Sequence, residues 1–358
     1  MRLNITFLIG NGFDLNVGLK TTFSAFLKEY KVESEKDSDL IKYFKNTVLQ
    51  DTEMWSNAEL AFGMATKQFK DAGYTAEDYC ICHEDFCVKL AKFLEKEEQR
   101  LNYTALDDVL SKGLVSGIRA YKNGFRTAER EIIEEDEMSF NGGFVFNFLT
   151  YNYTAVLDLC VAAARRKNGI LGLRAKNKVG NEFGKVLHVH GTIVRDMVLG
   201  VNDISQIADE TLFDGCDEEC LDEIIKMNTN IMNEENTDEK AHDLLMNSDL
   251  IYIYGMAIGK TDELWWNRIC ALLAQKKQLH LIIHQHNAPE DGLIRRSFKV
   301  FVKGVKRRFT AYSALNEDKK REIEERIHVD ATNIFAGLNN LVEHTANIAK
   351  NGDDSKTA

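Results

Sequence analysis

Proline is nearly absent: Pro289 is the only one in 358 residues. That excludes a Pro-rich linker and favours long helices. No run of about 18 apolar residues occurs, so no membrane-spanning helix is expected. The short apolar opening runs into Gly-Asn-Gly and lacks a small-residue cleavage site. No secretory signal is therefore expected, and the protein is expected in the cytoplasm. Positive charge is scarce, with 45 Lys and Arg against 56 Asp and Glu and a net charge of -11. This balance argues against a general nucleic-acid binder and gives no hint of affinity for anionic membranes. Paired C-x-x-C knuckles are missing too. The seven cysteines are odd in number and irregularly spaced, which fits a reducing compartment. Cys80, Cys82, His83 and Cys87 cluster within a helical pattern that lacks zinc-ligand spacing, so buried thiols and no metal are expected.

What is present is a core and an alternation. Apolar residues make up 44% of the chain, enough for a substantial interior. Apolar runs at 3–9, 143–150, 185–190, 248–254 and 279–283 read as strands, with 197–201 as a further candidate. A helix opens within 21–30. Val156, Leu157, Cys160, Val161 and Ala164 form one amphipathic face. Leu264, Trp265, Ile269, Leu272 and Leu273 form another, behind a cap supplied by Thr261 or Asp262. Residues 35–137 show no strand signal, and their acidic end at 128–137 reads as solvated. A polar helical stretch covers 205–246, and beyond 283 the signal weakens. The pattern predicts an α/β chain with an open, mainly parallel Rossmann-like sheet. The expected domains are a nucleotide-binding unit of residues 1–30 and 138–345, a helical insertion of 31–137, and a disordered tail from 346.

Ligands of such sheets bind beyond the carboxyl ends of the strands. Four of those ends carry unusual polar groups. The first is Gly10-Asn11-Gly12-Phe13-Asp14. Glycines admit close backbone approach to a phosphate, and a tight structural turn explains them equally well. Asp14 suits either a cap or a ribose hydroxyl. The second is Thr150-Tyr151-Asn152-Tyr153-Thr154, where Asn152 fits a ribose hydroxyl, a water or a helix cap. The third is His188-Val189-His190-Gly191. Both imidazoles are expected on one strand face, and His190 is the better placed as a neutral base near pH 7. The fourth is Tyr254-Gly255-Met256, leading to Gly259-Lys260-Thr261-Asp262.

Ile9-Gly-Asn-Gly-Phe-Asp-Leu15 followed by Gly18-Leu-Lys-Thr21 resembles the opening of the bacterial abortive-infection AbiH family. So do Trp55-Ser-Asn-Ala-Glu59, Asn152-Tyr-Thr154, His188-Val-His-Gly191 and Tyr254-Gly-Met-Ala-Ile-Gly-Lys-Thr-Asp-Glu263. The resemblance spans residues 3–270. That family is similar in turn to sirtuin-like NAD-binding domains, and this implies a sirtuin or deoxyhypusine-synthase-like sheet. It further implies that Gly10 and Gly12 match the sirtuin phosphate turn, Thr150 and Asn152 the Thr-Gln-Asn-Ile-Asp motif, His190-Gly191 the catalytic His-Gly, and Gly255 a glycine near the adenosine ribose. Thr154 stands where the sirtuin motif has Asp. The zinc ribbon of the deacetylases is missing, so the resemblance implies a phage-defence NADase.

The expected reaction is hydrolysis of NAD, as substrate, to nicotinamide and ADP-ribose through an oxocarbenium-like state. His190 is assigned as general base and Asn152 as the group that orients ribose or water. Gly10, Asn11, Gly12, Phe13, Asp14, Thr21, Thr150, Tyr153, Thr154, Gly191, Gly255 and Asp262 are assigned to nucleotide binding, with Glu59 a further candidate. Control by a phage trigger and assembly into a homo-oligomer are expected. Two rivals remain. One is a sensor that holds NAD or ADP-ribose without turnover. The other is a nucleic-acid-directed effector using the basic, aromatic-interleaved stretch 295–309. The plainer reading of that stretch is a solvated face over core Phe and Val.

Overall fold

The computed structural model describes residues 2–346 except 33, 51–56, 139, 141, 168–179, 217, 227, 230–235, 287 and 289–294. The tail expected to be disordered therefore lies almost wholly outside the described residues, as does Trp55. The chain forms two compact units. One comprises Met1–Leu19, Arg100–Val189 and Glu239–Ala358; the other comprises Lys20–Gln99 and His190–Asp238. The helices of 31–137 are thus shared between them. No described helix is long and apolar enough to cross a membrane.

The first unit is a six-stranded, all-parallel open sheet, the Rossmann-like α/β fold that the strand–helix alternation predicts. Its strands are β1 (Leu3–Ile9), β2 (Phe144–Thr150), β3 (Glu182–His188), β4 (Leu250–Tyr254), β5 (His280–His284) and β6 (Ile327–Asp330). Their order is β3-β2-β1-β4-β5-β6. From β1 the chain builds outward to β3, then returns to the other side of β1 and builds to β6. The switch point is therefore between β1 and β4, the place where such sheets open a crevice. Ile9 is level with both Thr150 and Tyr254, and Thr150 is level with His188. Four strand ends thus come out at one height.

Strands buried on both faces read as continuous apolar runs. One face of β1 places Ile5, Phe7 and Ile9 against Phe146, Phe148 and Tyr252 and against the helices Tyr103–Arg119 and Val156–Arg166. Phe7 stacks on Phe148 at 5.6 Å and tilts against Tyr252 at 5.4 Å. The other face joins Leu8, Leu149, Ile251 and Ile253 to the helices Glu263–Gln275 and Arg295–Thr310. Val305 and Phe309 of the basic stretch lie in this core, while Arg296, Lys299, Lys303 and Arg307 are exposed.

The structure departs from the sequence reading in four places. β6 was not foreseen. Residues 197–201 form no strand; Val201 only bridges Ile225. β3 begins at Glu182 and ends at His188, so His190 lies beyond it. The acidic helix Thr127–Met138 is not simply solvated: Ile133 and Glu137 are buried. Glu137 meets Tyr121 and, at 2.6 Å, Lys122. Asp136 meets His280 at 2.7 Å, His280 meets His328 at 3.0 Å, and His328 meets Glu129 at 2.9 Å. Carboxylates and two buried imidazoles therefore fasten this helix to β5 and β6.

The second unit is mainly helical. Its helices Phe23–Tyr30, Asp39–Asn46, Ala58–Asp71 and Ala76–Glu98 enclose Phe26, Phe44, Phe62, Phe69 and Phe86. Thr22 caps the first helix and a Thr75–Asp78 capping box starts the last. Cys82, His83 and Cys87 lie on that last helix. His83 Nε2 is 2.7 Å from the Leu199 carbonyl, which occupies it structurally. Burial pushes the Cys87 thiol up to about 12, so it is no thiolate at neutral pH.

Candidate functional site

At the switch point the turns after β1 and β4 press against each other. The Gly10 amide donates to the Tyr254 carbonyl at 2.9 Å, and Gly12 donates to the Gly255 carbonyl at 2.8 Å. Phe13 N–H donates to the Gly10 carbonyl at 2.9 Å. A Cβ on Gly12 would sit 2.4 Å from Gly255 Cα, and one on Gly10 would sit 2.8 Å from the Gly255 oxygen. Gly255 itself has φ +69°, a backbone that suits glycine. These glycines are required by the contact of one backbone with another. Asn11 stands at the start of the short helix Gly12–Asn16 without a side-chain capping bond. Phe13 is fully buried, edge-on to Phe335 at 5.2 Å, and is a core residue.

Next to this turn lies a buried polar cluster. Asp14 is 2% exposed and accepts from Asn152 Nδ2 at 3.0 Å and Thr154 Oγ1 at 2.6 Å. A buried carboxylate needs such donors. It is buried and does not stand open. The Asn152 backbone N–H donates to Thr150 Oγ1 at 3.2 Å. Asn152 Oδ1 and its second N–H make no bond among the described residues.

His188 completes the cluster. Its Nδ1 is 2.9 Å from the Asn152 carbonyl and its Nε2 is 2.7 Å from Asp158. Both neighbours are acceptors, so both ring nitrogens carry protons. Burial works against the charge, but the Asp158 hydrogen bond and charge and the Asn152 carbonyl outweigh it, and the His188 pKa is raised. The surroundings of His188 thus favour its protonated form, which holds Asn152 and Asp158 in place. Sequence reasoning selected Thr150, Asn152 and Thr154, and the structure brings them together around Asp14. It missed Asp158, whose place in the first turn of its helix carries no visible signal.

The other sequence-selected residues lie elsewhere. Tyr153 is half-buried between Asn152 and Thr154. Asp262 precedes the helix Glu263–Gln275 without a side-chain capping bond, against the capping expectation. Thr21 belongs to the second unit, next to the cap Thr22.

His190 also belongs to the second unit, and the expected pair of imidazoles on one strand face does not form. It is 7% exposed, with Nδ1 3.8 Å from Glu59 Oε1. The other Glu59 oxygen is 2.7 Å from the ammonium of Lys226. Burial first, and then the charge of Lys226, hold the His190 pKa well below its usual value, so its imidazole is neutral. Gly191 has φ +69°, and a Cβ there would meet the Asp196 oxygen, so a tight turn accounts for it. Lys226 was not foreseen; nothing near it in sequence marks it as polar interior. Among the described residues no group of three or more His, Cys, Asp or Glu is arranged to hold a metal ion.

No curated protein matches this chain. The family model described as Bacteriophage abortive infection AbiH matches residues 6–284, from β1 through β5, and includes the Asp14 cluster and the His190–Glu59–Lys226 group. With most of its length matched, the chain belongs to the AbiH family.

Proposed function

We propose that this phage abortive-infection protein is an NAD glycohydrolase, releasing nicotinamide and ADP-ribose. The carrying observation is the strand order, whose switch point falls at the Gly10-Asn11-Gly12 turn. A dinucleotide is the ligand class such a crevice suits. The resemblance to sirtuin-like domains supports NAD among dinucleotides. Cationic nicotinamide leaves as a neutral molecule, so the step needs no acid. It needs a held ribose and a base for water or a hydroxyl. In this reading Asn152 contributes its uncommitted amide oxygen and N–H, and neutral His190 serves as the base.

The test is release of nicotinamide from NAD by purified protein. Changing His190→Ala should reduce kcat roughly 100-fold or more, as loss of a general base does. Asn152→Ala should also impair turnover. Activity surviving both changes refutes the residue assignment. A second reading, a sensor that holds the nucleotide without turnover, is favoured by one distance. Glu59 stands 3.8 Å from His190, beyond hydrogen-bond length for that pair. Binding of NAD without nicotinamide release, unaffected by His190→Ala, selects that reading.

A further inference from the structure

Two lysines of the second unit are buried to the same degree, and only one is satisfied. Lys45 and Lys226 are each 5% exposed. Lys45 donates to Asp37 at 2.8 Å and to the Val32 carbonyl at 3.2 Å, and it lies 4.8 Å from the centre of the Tyr30 ring. Lys226 has only Glu59, and although their separation is 2.7 Å, the approach does not make a hydrogen bond. Its buried ammonium thus has one charged neighbour and no second acceptor among the described residues, so at least two of its three N–H groups are unmet. A buried donor left in this state is costly. The usual resolution is a water or a ligand oxygen.

The charges around it select the ligand. One ammonium, one carboxylate and a neutral imidazole sum to zero. An added phosphate would put a second anion beside buried Glu59, and a metal cation would face the ammonium. A neutral, hydroxyl-rich group fits both signs at once. One hydroxyl donates to the carboxylate while the oxygen of its neighbour accepts from the ammonium.

We propose that Lys226 and Glu59, beside His190, form a binding site for the vicinal hydroxyls of a ribose, with Lys226 donating to one hydroxyl oxygen and Glu59 accepting from the other. The proposal rests on the dinucleotide reading, since that supplies the ribose. Lys226 and Glu59 both belong to the second unit, and Lys226 is the one that the sequence did not suggest.

The test uses the full chain and isothermal titration. The probes are NAD, ADP-ribose, and NAD lacking the 2′- or 3′-hydroxyl of its nicotinamide ribose. Wild type should bind NAD at least tenfold more tightly than one of the deoxy forms, the scale of a lost hydrogen bond to a charged group. Lys226→Met combined with Glu59→Gln removes both charges together, so no lone buried charge is left to unfold the protein. That double variant should bind NAD and the deoxy forms alike, while keeping its circular-dichroism melting curve. Lys226→Gln, which retains a donor, should restore part of the discrimination. ADP-ribose binding separates the intact dinucleotide from its product as the source of the ribose.

A folded double variant that still discriminates overturns the site. So does a wild type that binds NAD without discrimination, which leaves Lys226 serving ordered water only, or a wild type that binds neither NAD nor ADP-ribose. Discrimination without nicotinamide release removes the hydrolase and leaves the ribose site standing. Nicotinamide release without discrimination does the reverse.

Discussion

Gly12→Ala separates two explanations of the opening motif. If Gly12 is glycine so that a phosphate can approach, alanine leaves the empty protein stable and weakens ligand binding. The geometry argues for the other explanation. The new Cβ would lie 2.4 Å from Gly255 Cα and 3.1 Å from the Gly255 oxygen, both of them backbone. No flexible side chain can give way, so the β1 and β4 turns must separate by about 1 Å. Overpacking of this kind costs about 1–3 kcal/mol. The Gly12–Gly255 hydrogen bond, now 2.8 Å, would weaken as well, adding about 1 kcal/mol. The expected loss is about 3 kcal/mol, a large part of an ordinary folding stability. It should lower Tm by roughly 5–10 °C in the absence of any nucleotide. The assay is thermal and urea unfolding followed by circular dichroism. Gly259→Ala is the control, because nothing lies within 4 Å of the Cβ it adds; it should stay within about 0.5 kcal/mol of wild type. A Gly12→Ala protein as stable as wild type would refute the packing argument and return this glycine to the ligand.

Two further predictions concern protons. The raised pKa of His188 means that its charged form is favoured in the folded state, so the stabilisation is complete below the unfolded histidine value of about 6.5. It disappears as pH rises through the higher folded pKa. Asp158→Asn should therefore destabilise the protein in acid and become nearly silent in alkali. Because the Asp158 side chain is 41% exposed, the effect should be no more than about 1 kcal/mol and should shrink with salt; equal destabilisation at pH 5.5 and pH 9 would refute it. His190 behaves in the opposite sense. With its pKa held well below 6.5, it stays a neutral base across the near-neutral range, and kcat/KM for NAD should not fall between pH 8 and pH 6. A decline centred near 6.5 would show that His190 titrates as an ordinary exposed histidine.

The sheet was legible where its strands lie at the centre. Parallel strands covered on both faces carry apolar runs too long to be anything else, and β1, β2, β4 and β5 announce themselves in that way. β6 hides because it is four residues long and half polar. Its polar side chains are consumed by neighbours distant in sequence: Asp330 accepts from Tyr252 at 2.8 Å, and His328 lies between His280 and Glu129. The acidic helix Thr127–Met138 misled for the matching reason, since the imidazoles that receive its carboxylates sit on β5 and β6. Asp14 shows the same limit at the candidate site. A carboxylate one turn into a helix suggests a cap or a ligand contact, but this one is satisfied by Asn152 and Thr154, 138 and 140 residues further on. The Thr-Tyr-Asn-Tyr-Thr motif that suggested a ribose contact is thus, in part, the hydrogen-bonding complement of Asp14. That dual use constrains any mechanism. A substitution at Asn152 that removes a ligand contact also leaves a buried carboxylate short of a donor, so Asn152→Ala alone does not separate binding from folding. Asn152→Asp would instead place a second carboxylate against Asp14, and the resulting repulsion would sharpen the same ambiguity. His190, which lies outside the Asp14 cluster, is for that reason the cleaner residue on which to decide whether the chain turns NAD over.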